Sequence, residues 1–163
     1  MAVMTGGKAI MEAFRREGVE YVFGLPGSTE LLFLDALYEY PEMKYIMGLH
    51  ESVCIGMAEG YTRLSGKTGV VNLHTCAGLA AATPSLFNAY LGGVPMLVTA
   101  GQQDTRLYMQ EPHLTGDLKG IASYFTKWST EINYSADIPT TIRRAFKVAT
   151  QPPTGPVFVS LPQ

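Results

Sequence analysis

Apolar positions along this chain follow two rhythms: short unbroken runs, and longer stretches in which apolar residues recur every three or four positions. The first helical stretch is predicted over residues 7–17, with Ala9, Ile10, Ala13 and Phe14 on one face, Thr5 as its cap and Gly18 as its stop. The run 19–23 reads as a buried strand, broken by GLPG at 24–27. Ser28 or Thr29 then caps a helix carrying Leu31, Leu32, Leu34, Ala36 and Leu37, with Glu30 in its first turn and Pro41 at its end. Further strands are predicted at 45–49, 69–73, 95–100, 127–132 and 157–161, and further helices at 52–64, 79–91 and 139–150. The helix at 52–64 is expected to face inward through Ile55, Ala58 and Leu64. The helix at 79–91 contains Pro84, tolerable only near its first turn. Residues 74–78 read as a small-residue loop and 101–119 as a long irregular one. Val70 and Val71 are consecutive and apolar, as in a strand covered on both faces. Strands alternating with helices predict an α/β fold: a three-layer sandwich with a mostly parallel sheet of about six strands, helices on both faces and right-handed crossovers.

Composition narrows this further. The 163 residues suit one domain, 1–163, and a domain of that size buries roughly 70% of its unfolded surface without staples. Hydrophobic residues make up 47% and charged residues only 16%, so an apolar face covered by a partner is expected. A net charge of -2 gives no electrostatic footprint for nucleic acid or membrane. The two cysteines, Cys54 and Cys76, read as reduced thiols of a cytoplasmic protein. The first eight residues lack a signal-peptide pattern, and no apolar run is long enough to span a bilayer. The stretch GYTRLSGKT at 60–68 resembles a phosphate loop but has the wrong glycine spacing and lies where a helix ends. No dinucleotide fingerprint follows the first strand, and no His, Cys, Asp or Glu cluster has metal-ligand spacing.

The polar residues that remain fall at strand ends. Ser28 follows the first strand, Glu51 the second, His74 the third, and Gln102 and Gln103 the fourth. All lie on the carboxyl edge of a parallel sheet, where open α/β folds place ligands. Each also has a plainer role: Ser28 as a helix cap, Glu51 as a complement to a helix N-terminus, His74, Gln102 and Gln103 as loop hydrogen bonders. The apolar neighbours Leu49, Val53 and Ile55 would favour the protonated form of a carboxyl group at Glu51.

These residues carry a resemblance. VFGLPGSTE at 22–30, HE at 50–51 followed by AEGY at 58–61, PMLVTAGQ at 95–102 and GPVFVSLP at 155–162 together resemble the N-terminal pyrimidine-binding domain of thiamine diphosphate-dependent enzymes. Within that family the chain is similar to the benzoylformate decarboxylases and to acetolactate synthase-like proteins. Ser28 and His74 stand where the decarboxylases carry an active-site serine and histidine, and the loop LHTCAG at 73–78 favours them over the synthases. Leu25 departs from their asparagine, and 110–118 does not follow their pattern, so the resemblance implies a 2-keto acid without saying which.

The resemblance implies that Glu51 hydrogen-bonds the aminopyrimidine N1′ and favours the imino tautomer that deprotonates the thiazolium. His74 is then implied in proton transfer and Ser28 in orienting the substrate. Glu51, Pro26, Gly27, His74 and Gln102 are the implied cofactor-binding positions. Family members hold the diphosphate through Mg2+ with a GDG stretch and later paired asparagines; this chain has only TGDL at 115–118. That metal site is therefore expected on the diphosphate-binding domain of a neighbouring subunit, in a homodimer or homotetramer. The chain is expected to be a fragment of a longer multidomain enzyme or, second, a separate subunit, and to be inactive alone. The alternatives are a domain of an acetolactate synthase-like carboligase, a non-catalytic binding module that keeps the fold, and a flavodoxin-like electron carrier.

Overall fold

The structure, a computed structural model, describes residues 4–163. Its strands are β1 (Tyr21–Gly24), β2 (Lys44–Met47), β3 (Gly69–Leu73), β4 (Met96–Gln102), β5 (Trp128–Glu131) and β6 (Pro156–Pro162). They form one sheet in the order β2-β1-β3-β4-β6-β5, and every pairing is parallel. The expected sandwich is present, with a sheet parallel throughout. Its α-helices are α1 (Gly6–Arg16), α2 (Leu31–Tyr38), α3 (Glu51–Ser65), α4 (Thr75–Leu91), α5 (Leu118–Ser123) and α6 (Ile138–Thr150).

Successive strand residues point to opposite faces, so the Val70 and Val71 pair feeds two cores. Val70 packs with Val22, Leu97 and Val157 beneath α1, α2 and α6. Val71 packs with Phe23, Leu73 and Val98 beneath α3, α4 and α5. In the first core Phe14 meets Phe33 and Phe146 edge-on, with ring centroids 6.2 and 6.3 Å apart. Thr5 caps α1, its hydroxyl accepting Lys8 N–H at 3.4 Å, and Gly18 follows in the left-handed region. Gly66 likewise ends α3 at φ 72°, so the stretch resembling a phosphate loop is a helix C-terminus.

Several expectations are corrected. Leu64 does not face inward; it is 92% exposed, because the buried stripe of α3 runs through Cys54, Ile55, Ala58 and Thr62. Residues 75–78 are not a loop but the first turn of α4, which places Pro84 in mid-helix. Proline leaves the carbonyl one turn back without its usual donor. The Thr83 hydroxyl supplies one, donating to Ala80 O at 2.8 Å. The irregular stretch 101–119 contains a 3₁₀ turn, Thr105–Gln110, and the start of α5, whose cap is Asp117 accepting Gly120 N–H at 2.8 Å. Neither Ser28 nor Thr29 caps α2; both fall in a 3₁₀ turn, Ser28–Glu30, and the Glu30 side chain reaches back to Gly27 N–H instead.

The strand order reverses direction between β1 and β3, which are hydrogen-bonded neighbours although β2 separates them in sequence. The crevice outside such a reversal is where open α/β sheets take up ligands. Leu73, fully buried at the end of β3, supports that rim. Leu73→Ala is expected to cost about 2–5 kcal/mol in denaturant unfolding, whereas Leu64→Lys should change stability by less than about 0.5 kcal/mol.

Candidate functional site

Three loops meet at the reversal: the turn after β1, the cap of α4 after β3, and the end of β4. Glu30 joins them. It is 1% exposed. Its Oε2 accepts Gly27 N–H at 2.8 Å and lies 2.8 Å from His74 Nδ1, and its Oε1 accepts the Thr29 hydroxyl at 2.7 Å and Gly101 N–H at 2.9 Å. Burying a carboxylate is costly unless its lone pairs are filled, and here each oxygen meets two partners. Below it lies a second polar set. The Tyr45 hydroxyl donates to Asn72 Oδ1 at 3.4 Å, Asn72 Nδ2 donates to Thr99 Oγ1 at 3.2 Å, and Thr99 Oγ1 donates to Val71 O at 3.0 Å. Burial pushes the Tyr45 hydroxyl well above its ordinary range, which keeps it a neutral donor.

His74 is the residue before α4, and its side chain is 23% exposed. The imidazole lies against the backbone of Gly27, where a Cβ would fall 2.3 Å from Nδ1 and 2.5 Å from Cγ. The next residue, Thr75, is fully buried, takes φ 51°, and has a hydroxyl without a partner among the described residues. A β-branched residue in that region is strained, by about 1–3 kcal/mol.

Glu51 opens α3, and the hydrogen bonds around it run through its neighbours. His50 caps the helix, its Nδ1 accepting Ser52 N–H at 3.1 Å, and the Ser52 hydroxyl donates to Ala81 O at 2.7 Å, tying α3 to α4. No hydrogen bond among the described residues engages the Glu51 carboxylate. A Cβ on Gly78, in the first turn of α4, would lie 3.3 Å from Glu51 Oε1, so the missing side chain leaves room there. Beneath it the Cys54 thiol is pushed up by burial, with the charge of Glu51 adding to the shift, and is an inert core group. Both cysteines are free thiols. Of the apolar neighbours expected around Glu51, only Ile55 is buried; Leu49 is 89% and Val53 51% exposed.

The structure thus gathers Gly27, His74 and Glu51 around the first turn of α4. Pro26 precedes Gly27 in the same turn, half-buried. Ser28 follows it, exposed, its carbonyl 3.5 Å from Gln163 Nε2. Gln102 is not turned toward them. It is buried, with Nε2 donating to Gly116 O at 2.7 Å and Oε1 accepting Gln103 N–H at 3.0 Å, so its amide anchors the loop after β4. The residues that sequence reasoning missed are Glu30, Tyr45, Asn72 and Thr99. Glu30 alone left a trace, an acidic residue three positions after the chain turns at Gly27, the spacing of a capping box.

A cavity of about 540 Å³ opens on the opposite face between α1 and α2, and Glu30 forms part of its wall. Glu51, His74 and Ser28 line neither it nor two further cavities of about 560 and 460 Å³; they sit on an open rim. Among the described residues no three His, Cys, Asp or Glu side chains cluster as a metal site requires, and no helix is long and apolar enough to cross a membrane.

A parallel sheet with a carboxylate and a histidine at its switch point defines an α/β ligand-binding domain. Comparison with known proteins names it. The family described as "Thiamine pyrophosphate enzyme, N-terminal TPP binding domain" matches residues 4–122, and the chain belongs to that family. Benzoylformate decarboxylase of Pseudomonas aeruginosa is 39% identical over 156 residues, covering 94% of this chain and 29% of that protein. The acetolactate synthase large subunit of Haemophilus influenzae is 34% identical over 163 residues, covering 100% of this chain and 28% of that protein. Among solved structures, the thiamine diphosphate-dependent 4-hydroxybenzoylformate decarboxylase of Rhodococcus jostii RHA1 superposes with a TM-score of 0.92 at 38% identity, covering 98% of this chain and 30% of that one. The chain spans less than a third of the length of these relatives.

Glycines at the rim are set by what they touch. A Cβ at Gly101 would fall 2.1 Å from Glu30 Oε1 and 2.5 Å from Thr29 Oγ1, whereas at Gly56, in α3, it would meet nothing within 4 Å. Gly101→Ala is expected to destabilise by about 1–3 kcal/mol and Gly56→Ala to stabilise by about 0.5–1 kcal/mol, both read from denaturant midpoints.

Proposed function

We propose that this chain is the pyrimidine-binding half of a thiamine diphosphate-dependent 2-keto acid decarboxylase of the benzoylformate decarboxylase type, and that Glu51 activates the cofactor. The observation that carries the reading is the Glu51 carboxylate, fixed at the head of a helix, without a hydrogen-bond partner among the described residues and faced by the bare Cα of Gly78. Such a group fits the aminopyrimidine end of the cofactor, which needs one carboxyl group to hold a proton at a ring nitrogen. When bound, thiamine diphosphate supplies a thiazolium that takes up the electron pair left as carbon dioxide departs. Pro26, Gly27 and the first turn of α4 form the surface on which the pyrimidine ring rests. His74 moves a proton at the substrate-derived oxygen, and the exposed Ser28 hydroxyl orients the substrate carboxylate. Gln102 acts at one remove, by fixing the loop after β4.

The rim is open, so the reading includes a partner. The diphosphate and its Mg2+ are held by the diphosphate-binding domain of a neighbouring subunit, in a homodimer or homotetramer of a longer, cytoplasmic enzyme. Exposed Val53, Leu64, Phe87 and Leu91 supply an apolar contact along α3 and α4, the helices that carry Glu51 and Gly78. The 163-residue chain is expected to turn over no 2-keto acid by itself and to self-associate through α3 and α4. A monomeric mass at high concentration in analytical ultracentrifugation would remove that contact surface.

Decarboxylation is favoured over carboligation by His74, a proton-transfer group locked beside Gly27. In the longer enzyme Glu51→Gln is expected to lower aldehyde release from benzoylformate by about 10²–10⁴-fold. An unchanged rate would return Glu51 to a helix-terminus role. Acetolactate formed from pyruvate as the main product would replace the decarboxylase reading with the carboligase one.

A further inference from the structure

We propose that Glu30 is the positioning residue for His74: its carboxylate accepts the Nδ1–H of the imidazole and so leaves Nε2 as the lone-pair nitrogen at the open rim. The inference deepens the reading of His74 as the proton-transfer group and rests on it, while its test reads the ring itself. Three of the groups on Glu30 are Gly27 N–H, Gly101 N–H and the Thr29 hydroxyl, at 2.7 to 2.9 Å. The two amides are donors whatever His74 does. Together they stabilise negative charge on the carboxylate, so the proton shared across the 2.8 Å contact with Nδ1 rests on the nitrogen. The neutral imidazole then carries its hydrogen on Nδ1, and Nε2, bonded to nothing among the described residues, can take a proton from a substrate-derived oxygen and return it. A buried carboxylate that fixes a histidine's tautomer and ring plane is the arrangement on which acid–base histidines elsewhere depend. Two further contacts support it. The ring is pressed against Gly27, where no side chain could be accommodated, and the Thr29 hydroxyl, 3.3 Å from Nδ1, is already committed to Glu30.

The chain has three histidines, so the ring nitrogens can be assigned by ¹⁵N NMR with a His74→Gln reference. In the unaltered chain at a pH where the ring is neutral, His74 is expected to show a protonated Nδ1 and a bare Nε2. Glu30→Gln should lose that signature and populate the opposite tautomer, because one face of the amide now offers N–H groups. Thr29→Val should keep it. A bare Nδ1 in the unaltered chain overturns the proposal, as does a folded Glu30→Gln variant with an unchanged tautomer. Should Glu30→Gln fail to fold, the unaltered chain and Thr29→Val decide between Glu30 and Thr29 as the group that holds Nδ1. None of these outcomes depends on turnover, so an enzyme that proves to be a carboligase leaves the result readable.

Discussion

The ring of contacts around Glu30 holds the carboxyl rim of this sheet together. One carboxylate, buried to 1% exposure, joins the turn after β1 through Gly27, the end of β4 through Gly101 and the cap of α4 through His74. β1, β3 and β4 are adjacent strands, so these contacts span the place where the strand order reverses. Hydrogen bonds to a charged group contribute roughly 1.5–3 kcal/mol each, and removing the carboxylate would strand its donors away from water. The sheet supplies the layout, and Glu30 converts three independent strand ends into one rigid edge.

Local demands on the sequence follow from that edge. Gly27 and Gly101 are glycines because the His74 ring and the Glu30 oxygens occupy the volume a Cβ would need. Gly78 is small for a different reason: it leaves space beside Glu51 rather than beside Glu30. Thr75, between His74 and the body of α4, takes a left-handed conformation with its hydroxyl unpaired. That strain is confined to the turn where the histidine is presented, and the long, well-packed helix behind it over-determines the backbone.

The layered fold was legible because its signals are local. Apolar runs such as Val70 and Val71 mark strands buried on both faces, and Thr5 and Gly18 mark helix ends by their own chemistry. Legibility failed where one local rule hid another. Pro84 argued for a late start to α4, and only the Thr83 hydroxyl on Ala80 O explains how the helix passes through it. Leu64 looked like the next inward residue of α3, but the stripe turns through Thr62, whose hydroxyl accepts Gly69 N–H at 2.9 Å and so belongs inside. Of the site, strand-end position picked out Glu51, His74 and Ser28. Glu30 was hidden because an acidic residue in a first turn already has a sufficient reason to be there. Its partners lie 44 and 71 residues away, at His74 and Gly101, and no spacing rule reaches so far.

Glu30 and Glu51 both open a helical segment after a short strand, and sequence position gives them the same standing. The structure separates them by what their lone pairs are doing. Every acceptor site of Glu30 is filled from within the chain, so that carboxylate can orient a neighbour but cannot meet a ligand without dismantling the rim. Glu51 has its helix capped by His50, its bridge to α4 made by Ser52 and its flank cleared by Gly78, and its own oxygens are unspent among the described residues. The two carboxylates thus stand at opposite degrees of saturation, Glu30 filled beneath His74 and Glu51 open beside Gly78. Negative charge at two helix ends does not by itself call for filling one carboxylate so completely while the other, whose Oε1 lies 3.3 Å from where a Cβ on Gly78 would fall, makes no hydrogen bond among the described residues.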